Sequence, residues 1–365
     1  MSRTIMVMAG GTGGHVFPAL AVADYLRAAG WRVLWLGTKT GMEARLIPQR
    51  GYEMAWLSFA GVRGKGVLRL AVLPMQIILA FFQSARTIMR ERPDVVLGMG
   101  GYTAFPGGMM AVLLNKPLVI HEQNSIAGLT NRVLACIADR VLVAFPAAFT
   151  GKKDKPLLCS KLNTQWCGNP VRSDIAEIAE SALRMRDRSG KLRLLVVGGS
   201  LGAQALNEVV PKAVALLPET ERPEIIHQAG ERHLQTLETN YAQAGVSVEA
   251  RAFIDDMAAL YAWCDLVICR AGALTVAELA AAGIASVLVP YPHAVDDHQT
   301  HNAKFLSDQG AAILLPQNEL NPSVLAQLLG TFTRQKLLQM ATAARALSKP
   351  DATRQVAGIC MELAA

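Results

Sequence analysis

His15 and Glu122 are the two side chains whose types and positions best suit proton transfer. His15 follows the glycine-rich segment Gly10-Gly-Thr-Gly-Gly, and Glu122 lies in His121-Glu-Gln-Asn124, directly after an apolar run. A histidine at the start of a helix can accept a proton, because the positive end of the helix dipole favours the neutral imidazole. A carboxylate within hydrogen-bond reach can do the same for a hydroxyl group. The sequence leaves both residues open as the general base.

Two glycine-rich turns, each after an apolar strand, predict binding sites for anions. The first turn joins Thr4–Ala9 to Gly10–His15, and the second joins Leu192–Val197 to Gly198–Ala203. Such turns expose backbone N–H groups at a helix start, where the helix dipole also favours a phosphate. Gly98-Met-Gly-Gly-Tyr102 is a third turn of this kind. The arrangement predicts two Rossmann-like halves that face one cleft, with an anionic substrate between them.

The spacing of these glycines argues against two common nucleotide sites. A dinucleotide fingerprint needs G-x-G-x-x-G and an acidic residue about 20 positions later. Counted from Gly11, the third glycine position is Val16, and the second strand ends in Gly37-Thr38 without an acidic residue. No G-K-[ST] follows either turn, so a P-loop is also excluded. A nucleotide-diphosphate site of another kind remains.

The sequence gives little support for a bound metal ion. No D-x-D pair occurs in the chain, and the six cysteines lack C-x-x-C spacing. Metal-dependent sugar transferases usually need such carboxylates for Mg²⁺ or Mn²⁺, whereas helix N-termini can stabilise a departing diphosphate instead. The cysteines are expected to be reduced, buried thiols.

Charge is distributed unevenly along the 365 residues. Residues 1–172 carry 20 Lys and Arg against 8 Asp and Glu, a net charge of +12, whereas residues 173–365 carry 16 against 21, a net charge of −5. This asymmetry predicts an anionic partner for the first half alone. A helix-turn-helix or a basic motif with interleaved aromatic residues is absent from the sequence. A membrane surface or an acidic lipid is therefore favoured over nucleic acid.

The segment Gly61–Arg92 departs from the strand–helix alternation of the rest of the chain. Its uncharged run Leu70–Ala85 has 16 residues, fewer than the about 20 that a membrane-spanning helix needs. Basic residues surround this run, namely Arg63, Lys65, Arg69, Arg86 and Arg90. One interpretation is an ordinary core helix. The other is shallow insertion into an anionic bilayer, with a membrane patch formed by Ile78, Phe81 and Phe82.

Strands and helices alternate elsewhere, which predicts an α/β fold with two Rossmann-like domains built on parallel sheets. We expect strands near residues 4–8, 31–36, 52–57, 94–98, 117–121, 140–144, 192–197, 223–228, 247–252, 265–269 and 286–289. Asn169-Pro170 favours an extended link and marks the domain boundary. The prediction is an N-terminal domain over 1–168, with a C-terminal helix over 350–365 that packs back on it, and a second domain over 169–349.

Eight segments carry a family resemblance, and they occur in the order GGTGGHVFPALAVA, GMGGYTAFPGG, HEQNSIAGLTNR, GNPVR, VVGGSLGA, FIDDM, CRAGALTVAEL and HAVDDHQTHNA. Together they resemble the MurG family of bacterial UDP-N-acetylglucosamine:lipid I N-acetylglucosaminyltransferases, which have the GT-B glycosyltransferase fold. The resemblance covers nearly the whole chain. It implies inverting, metal-independent transfer of N-acetylglucosamine to the 4-hydroxyl of the N-acetylmuramoyl unit of lipid I, giving lipid II and UDP. It implies no cofactor.

The resemblance also implies where the substrates bind. UDP-N-acetylglucosamine is expected to contact Thr12, Gly13, Gly14, Asn124, Arg172, Ser200, Ile254, Ala273, Leu274, Thr275, Val276, Ala277, Glu278 and Gln299. Within this set, Glu278 would bind the ribose hydroxyls, Ile254 the uracil through its main chain, and Gln299 the transferred sugar. The acceptor diphosphate is expected at Gly100, Gly101 and Tyr102. The implied location is peripheral, on the cytoplasmic face of the bacterial inner membrane, with other cell-wall synthesis proteins as candidate partners.

Three alternatives share parts of this pattern. Another GT-B membrane-lipid enzyme, such as a diacylglycerol glycosyltransferase, would share the basic apolar segment and the donor motifs, but HEQN and GGTGGH argue against it. A non-hydrolysing UDP-sugar epimerase would not need the membrane patch. A catalytically inactive UDP-sugar sensor would keep the donor site and lose its base, whereas both His15 and Glu122 are present.

Overall fold

The computed structural model of the protein describes residues 2–58, 67–149, 162–199 and 202–365, and of residues 67–72 it describes the backbone only. Within these residues the chain forms two compact units. The first unit consists of Met1–Arg172 together with Lys349–Ala365, and the second is Ser173–Ser348.

Unit 1 is built on a parallel sheet with the strand order β3-β2-β1-β4-β5-β6-β7. Its described strands are β1 Thr4–Met8, β2 Arg32–Thr38, β3 Glu53–Leu57, β4 Val95–Gly98, β5 Leu118–Glu122, β6 Arg140–Val143 and β7 Thr164–Trp166. Its described helices are α1 Gly13–Ala28, α2 Glu43–Gln49, α3 Val67–Glu91, α4 Ala104–Leu113, α5 Leu129–Leu134 and α15 Ala352–Leu363. The central strands β1, β4 and β5 are buried along their whole length, as expected for a parallel sheet covered on both faces.

Unit 2 repeats this plan with the strand order β10-β9-β8-β11-β12-β13. Its described strands are β8 Arg193–Val197, β9 Glu224–Gln228, β10 Glu249–Arg251, β11 Leu266–Cys269, β12 Ala285–Leu288 and β13 Ala312–Leu314. Its described helices are α6 Ser173–Ala176, α7 Ser181–Met185, α8 Gln204–Ala215, α9 Leu234–Gln243, α10 Met257–Trp263, α11 Ala273–Ala282, α12 His298–Ser307, α13 Pro322–Gly330 and α14 Arg334–Ala346.

The predicted α/β class with two Rossmann-like parallel sheets is confirmed. Strands β7 and β13 were not expected from the sequence. Each has three residues and lies at one edge of its sheet. A strand that short is missed because it gives too few positions for an apolar pattern to show.

The C-terminal helix α15 packs in unit 1. Its residues Val356, Ala357, Ile359 and Cys360 join the hydrophobic core that also contains strand β1 and helix α1. Near its end, the guanidinium of Arg3 donates a hydrogen bond to the carbonyl of Met361, at 3.4 Å. Burial of an apolar helix face against α1 therefore attaches the end of the chain to the first unit.

Helix α3 contains part of the segment that the sequence singled out. Ile78 is 68% exposed and Phe82 is 63% exposed. Phe81 differs from both, because its ring packs edge-on against Phe105 of α4 with 5.7 Å between the ring centroids. The exposed apolar face of α3 is therefore formed by Met75, Ile78, Leu79, Phe82 and Met89, and Phe81 does not belong to it.

The structure describes only some of the basic residues that surround this segment. Arg63 and Lys65 lie outside the described residues, as does the side chain of Arg69. No described helix is long and apolar enough to cross a membrane.

The cysteines divide into two groups. Cys167, Cys264, Cys269 and Cys360 are free, buried thiols as expected, and burial raises the pKa of Cys167 to about 12. Cys136 is disulfide-bonded, which differs from the expectation, and Cys159 lies outside the described residues.

Candidate active site

The first glycine turn is organised by a buried carboxylate, that of Glu43 at the start of α2. Glu43 Oε2 accepts a hydrogen bond from the backbone N–H of Gly11 at 3.1 Å. Glu43 Oε1 accepts from the backbone N–H and the hydroxyl of Thr38, at 3.1 and 2.8 Å. A Cβ atom on Gly10 would lie 2.8 Å from this same carboxylate. The carboxylate of Glu43 therefore holds this turn in place through hydrogen bonds. The sequence patterns do not predict this role for Glu43.

The third glycine turn contacts the first one directly. Gly101 has a positive φ of 81°, and a Cβ atom there would lie 2.3 Å from the carbonyl oxygen of Gly10. Only glycine allows this backbone conformation and this approach without strain. The hydroxyl of Tyr102 lies 3.1 Å from that of Thr38. The turns after β1 and β4 therefore form one continuous surface at the carboxyl ends of the central strands, where parallel sheets usually bind ligands.

His15 lies on this surface, half-buried in the first turn of α1. Its Nδ1 atom is 2.9 Å from Oε1 of Gln123, just beyond the end of β5. The amide nitrogen of Gln123 is in turn 3.1 Å from Nδ1 of His121. Nε2 of His121 is 2.9 Å from the carbonyl oxygen of Gly168. A continuous hydrogen-bonded chain thus runs from a backbone carbonyl to the candidate base.

Glu122, the other candidate base, is only 2% exposed and serves its own loop. Its Oε1 atom accepts from the backbone N–H and the side-chain amide of Asn124, at 2.9 and 3.3 Å. Its Oε2 atom accepts from the backbone N–H of Gly128 and the side-chain amide of Asn131, at 3.1 and 2.9 Å. A carboxylate held by this many donors from the following loop and helix has little capacity left for a substrate hydroxyl. This geometry favours His15 over Glu122 as the base, and gives Glu122 the task of orienting Asn124.

The second glycine turn lies in unit 2, after β8. Gly202 has a φ of 76°, and a Cβ atom there would lie 2.1 Å from the carbonyl oxygen of Ala229. Gly199 has a φ of 83°. The predicted phosphate contact Ser200 lies outside the described residues. The turn therefore resembles the first one in its use of left-handed glycines.

Helix α11 begins where the sequence predicts a helix N-terminus. Its first residues are Ala273, Leu274 and Thr275, and the backbone N–H of Val276 makes the first helical bond to Gly272 at 2.9 Å. A helix start presents N–H groups that favour a diphosphate. The first turn of α11 in unit 2 is thus suited to anion binding by the backbone.

Glu278 lies one turn further along α11 and is nearly buried, at 8% exposure. The hydroxyl of Tyr261 donates to Glu278 Oε2 over a long 3.4 Å, and burial raises the pKa of Tyr261 far above its ordinary value. Tyr261 therefore stays a neutral donor. Sequence reasoning found the carboxylate but missed this partner, which lies on a separate helix, α10.

Gln299 and Arg270 are both attached to the segment after β12. Gln299 Oε1 accepts from the backbone N–H of Tyr291 at 2.9 Å. The guanidinium of Arg270 donates to the carbonyls of Val289 and Pro290, at 3.2 and 3.1 Å. These bonds hold the ends of β11 and β12 together and orient Gln299 at the start of α12.

The turn before α12 has an unusual backbone. Asp296 and Asp297 both have a φ of 53°, the left-handed conformation that costs an L-residue roughly 1–2 kcal/mol. Asp297 Oδ1 accepts from the hydroxyl of Thr300 at 2.7 Å. Non-glycine residues in this conformation gather at functional sites more often than elsewhere.

The remaining predicted donor residues are less informative. Ile254 is 5% exposed, so its side chain packs inside unit 2. Arg172 is the last residue of the first segment of unit 1 and is half-buried. The described residues contain no group of three or more His, Cys, Asp or Glu side chains that could hold a metal ion.

A second buried histidine, His227 of β9, has a separate network within unit 2. Its Nε2 atom is 3.1 Å from Oδ1 of Asn207, and its Nδ1 atom is 3.0 Å from the hydroxyl of Tyr241. Burial lowers its pKa to about 3. The network joins β9 to helices α8 and α9.

Predicted residues from unit 1 lie together at the carboxyl ends of β1, β4 and β5, namely Thr12, Gly13, Gly14, His15, Gly100, Gly101, Tyr102 and Asn124. Sequence reasoning missed Glu43, Gln123 and His121 as parts of this arrangement. Gln123 and His121 were present in the HEQN segment, so their proximity to Glu122 was the available signal. Glu43 gave none, since an acidic residue at a helix start is common.

Comparisons with known proteins identify the family of this chain. The glycosyltransferase family 28 N-terminal domain matches residues 5–143, and the family 28 C-terminal domain matches residues 193–356. A protein of Thiobacillus denitrificans is 60% identical over 363 residues, covering 100% of this chain and 99% of that protein. A protein of Dechloromonas aromatica is 59% identical over 364 residues, covering 100% of both. Both are named UDP-N-acetylglucosamine–N-acetylmuramyl-(pentapeptide) pyrophosphoryl-undecaprenol N-acetylglucosamine transferase.

A solved structure also matches nearly the whole chain. The crystal structure of MurG from Acinetobacter baumannii superimposes with a TM-score of 0.84 at 42% sequence identity, covering 99% of each chain.

Proposed function

Because this chain belongs to glycosyltransferase family 28 and to its UDP-N-acetylglucosamine–N-acetylmuramyl-(pentapeptide) pyrophosphoryl-undecaprenol N-acetylglucosamine transferases, we propose a course for its reaction in terms of its own residues. The enzyme transfers N-acetylglucosamine from UDP-N-acetylglucosamine to lipid I in peptidoglycan synthesis. The proposal concerns how the proton, the two diphosphates and the membrane are handled.

The chemical step that we propose is a single displacement with inversion. The 4-hydroxyl oxygen of the N-acetylmuramoyl unit attacks C1 of the donor sugar, the bond between C1 and the diphosphate oxygen breaks, and UDP leaves. The hydroxyl proton passes to His15. A positioned base contributes about 10²- to 10⁴-fold to such a step.

One observation carries the choice of His15. Glu122 accepts four hydrogen bonds from the loop and helix that follow it, whereas His15 lies half-buried on the surface formed by the turns after β1 and β4. A base must reach the proton that it removes. His15 is partly exposed, whereas the carboxylate of Glu122 is buried and already accepts four hydrogen bonds. The exposure of His15 therefore supports the role of base better.

For the donor, we propose that the first turn of α11 holds the diphosphate through the backbone N–H groups of Ala273, Leu274 and Thr275. Their position at a helix start supports this, since charge developing on departing UDP is stabilised by such groups. Glu278 would accept the ribose hydroxyls and Gln299 would bind the sugar. The other proposed donor contacts are Thr12, Gly13, Gly14, Asn124, Arg172, Ser200, Ile254, Val276 and Ala277.

For the acceptor, we propose that the diphosphate of lipid I binds at Gly100, Gly101 and Tyr102. The close contact between this turn and Gly10 supports a site next to His15. A glycine turn with left-handed residues forms a concave array of N–H groups that suits an anion.

The reaction is proposed to need no metal ion. The motivation is the absence of a D-x-D pair from the sequence, together with a helix start that can stabilise the leaving group. Activity should persist in EDTA. Loss of transfer on chelation, with recovery on adding Mg²⁺ or Mn²⁺, would overturn this part of the proposal.

We further propose that the exposed apolar face of α3 attaches unit 1 to the cytoplasmic face of the inner membrane as a peripheral protein. The exposure of Ile78 and Phe82 and the net charge of +12 in residues 1–172 support attraction to an anionic bilayer. Lipid I carries its diphosphate on a membrane-embedded chain, so such attachment would bring the enzyme to its acceptor.

The function is tested by measuring UDP release from UDP-N-acetylglucosamine with purified lipid I, with diacylglycerol and with no acceptor. Release that depends on lipid I, with formation of the disaccharide product, is the expected result. Release with diacylglycerol alone would favour the glycolipid enzyme, and release without any acceptor would indicate hydrolysis.

A further inference from the structure

We propose that His121 and Gln123 are positioning residues that hold His15 as the tautomer protonated on Nδ1, so that Nε2 is the atom that accepts the proton. The inference rests on the proposed role of His15 as the general base. It concerns a chain of hydrogen bonds whose direction is set at one end by the backbone.

The donor and acceptor roles in this chain of hydrogen bonds are set first at Gly168. A backbone carbonyl oxygen can only accept a hydrogen bond, and it lies 2.9 Å from Nε2 of His121. Nε2 of His121 must therefore carry a proton.

The second step uses the burial of His121. Its side chain has no exposed surface, and this burial lowers its pKa to about 4. The ring is therefore neutral near pH 7 and holds a single proton. Since Nε2 has that proton, Nδ1 of His121 carries a lone pair and acts as an acceptor.

Gln123 lies between His121 and His15, and the acceptors of His121 determine how its amide is oriented. One end of its amide lies 3.1 Å from Nδ1 of His121 and 3.2 Å from the carbonyl oxygen of the same residue. Both of these atoms are acceptors, so the end that faces them must be the NH₂ group. A flipped amide would place an oxygen against two acceptors. The amide oxygen of Gln123 is consequently turned towards His15.

The last step is at His15 itself. Its Nδ1 atom lies 2.9 Å from this amide oxygen, which can only accept, so Nδ1 carries the proton of the neutral ring. Nε2 is then the basic atom. Glycine at position 100 leaves the room that this ring needs, because a Cβ atom there would lie 2.8 Å from Nδ1 of His15. The opposite tautomer would bring two lone pairs face to face and leave Nε2 unable to accept a proton.

The test reads the tautomer directly, by ¹⁵N NMR of the full-length protein labelled with ¹⁵N-histidine. The His15 signal is assigned by its loss in His15→Ala. The wild type should show a protonated Nδ1 and an unprotonated Nε2 at neutral pH. Gln123→Leu removes the acceptor and should give a mixture of tautomers.

Kinetics provide the second readout, with lipid I and UDP-N-acetylglucosamine as substrates. Gln123→Leu should lower kcat by about tenfold or more, within the range of a general base, while the donor KM stays within about twofold of wild type. His227→Gln is the matched control, because it alters an equally buried histidine and should leave both kcat and the His15 tautomer unchanged.

The possible failures are distinguishable. An Nε2-protonated His15 in the wild type, or an unchanged tautomer in Gln123→Leu, would overturn the positioning role even if the enzyme is fully active. If Gln123 variants do not fold, His121→Gln is examined by the same NMR measurement, and an unaltered His15 signal would again overturn it. Wild-type protein that shows the expected tautomer but no transfer to lipid I would instead contradict the proposed function.

Discussion

The two units share the order of six strands, to which unit 1 adds β7, and use it differently. In unit 1 the carboxyl ends of β1, β4 and β5 present side chains that can move or direct a proton, His15 and Gln123 among them. In unit 2 the corresponding edge presents a helix start at Ala273 and a glycine turn at Gly202. The same strand order therefore carries a hydrogen-bonded chain of side chains in unit 1 and a helix start suited to an anion in unit 2. Function depends on the residues after each strand, as expected when sites are carried by loops on a rigid scaffold.

The two buried histidines make this contrast sharper. His121 and His227 are each the fourth residue of a five-residue strand, and both are kept neutral by burial. His121 connects through Gln123 to the half-buried His15, whereas His227 connects to Tyr241 and Asn207 inside unit 2. Burial keeps both histidines neutral. Only His121 is connected by hydrogen bonds to the candidate base, so only its protonation state can affect the tautomer of His15.

The largest effect is expected for His15. His15→Ala should lower kcat by about 10²- to 10⁴-fold, because a proton acceptor is removed from the transition state, with smaller changes in both KM values. UDP release with lipid I is the measurement. Glu122→Gln is the matched comparison, and a kcat loss as large as that of His15→Ala in a folded Glu122→Gln protein would transfer the role of base to Glu122.

Glu278 tests the binding unit in the same assay. Glu278→Ala should raise the KM for UDP-N-acetylglucosamine about ten- to a hundredfold, since losing a hydrogen bond to a charged group costs about 1.5–3 kcal/mol. The kcat value should change little. Glu238→Ala, on the exposed face of α9, serves as the control. A collapsed kcat with an unchanged KM for Glu278→Ala would contradict a ribose-binding role.

Acid should destabilise both units through their buried histidines. An unfolded histidine gains a proton near pH 6.5, whereas folded His121 and His227 resist protonation until about pH 4 and about pH 3. The free energy of unfolding should therefore fall as the pH drops below 6.5, by about 2 kcal/mol per histidine at pH 5.

Urea unfolding of the wild type and of His227→Gln at pH 7 and pH 5 provides the measurement. The variant should lose less stability between these two pH values than the wild type does. An identical pH dependence in both proteins would show that His227 is protonated to the same extent in the folded and unfolded chains.

The smallest predicted change concerns the membrane. Ile78→Ser combined with Phe82→Ser should weaken binding to anionic vesicles about tenfold, if about half of each side chain enters the bilayer. Binding should also decrease with added salt. Co-sedimentation with vesicles measures this, and Leu183→Ser, at an exposed leucine of unit 2, is the control. A folded double variant that sediments like wild type would exclude this face of α3 as the attachment site.

The sequence was sufficient for the parts of the molecule that depend on local patterns. Apolar runs followed by glycines located both central strands and their turns, because strand burial and left-handed backbone restrict residue type strongly. The short edge strands β7 and β13 lacked such a pattern. The sequence predicts Phe81 in the membrane patch, but its ring packs against Phe105. Adjacent positions on a helix do not reveal from sequence which one faces a neighbour.

The sequence predicts most of the residues of the candidate site, but it does not predict the hydrogen bonds that connect them. HEQN suggested a base at Glu122, yet the carboxylate is occupied by donors from the loop and helix that follow it. The link between His15 and Gln123 spans 108 residues, and that between Glu43 and Gly11 spans 32. Contacts of this kind depend on the complete fold, which no local motif records.

The left-handed pair Asp296 and Asp297 has a consequence for engineering the enzyme towards heat resistance. Glycine at either position would relieve a backbone cost of roughly 1–2 kcal/mol, more than the about 0.5–1 kcal/mol of added chain entropy. A screen that rewards thermal stability alone would therefore tend to enrich glycine here. Such a change would also loosen the start of α12, where Gln299 is held by Tyr291. Stabilised variants from this turn should accordingly be ranked by sugar selectivity as well as by melting temperature.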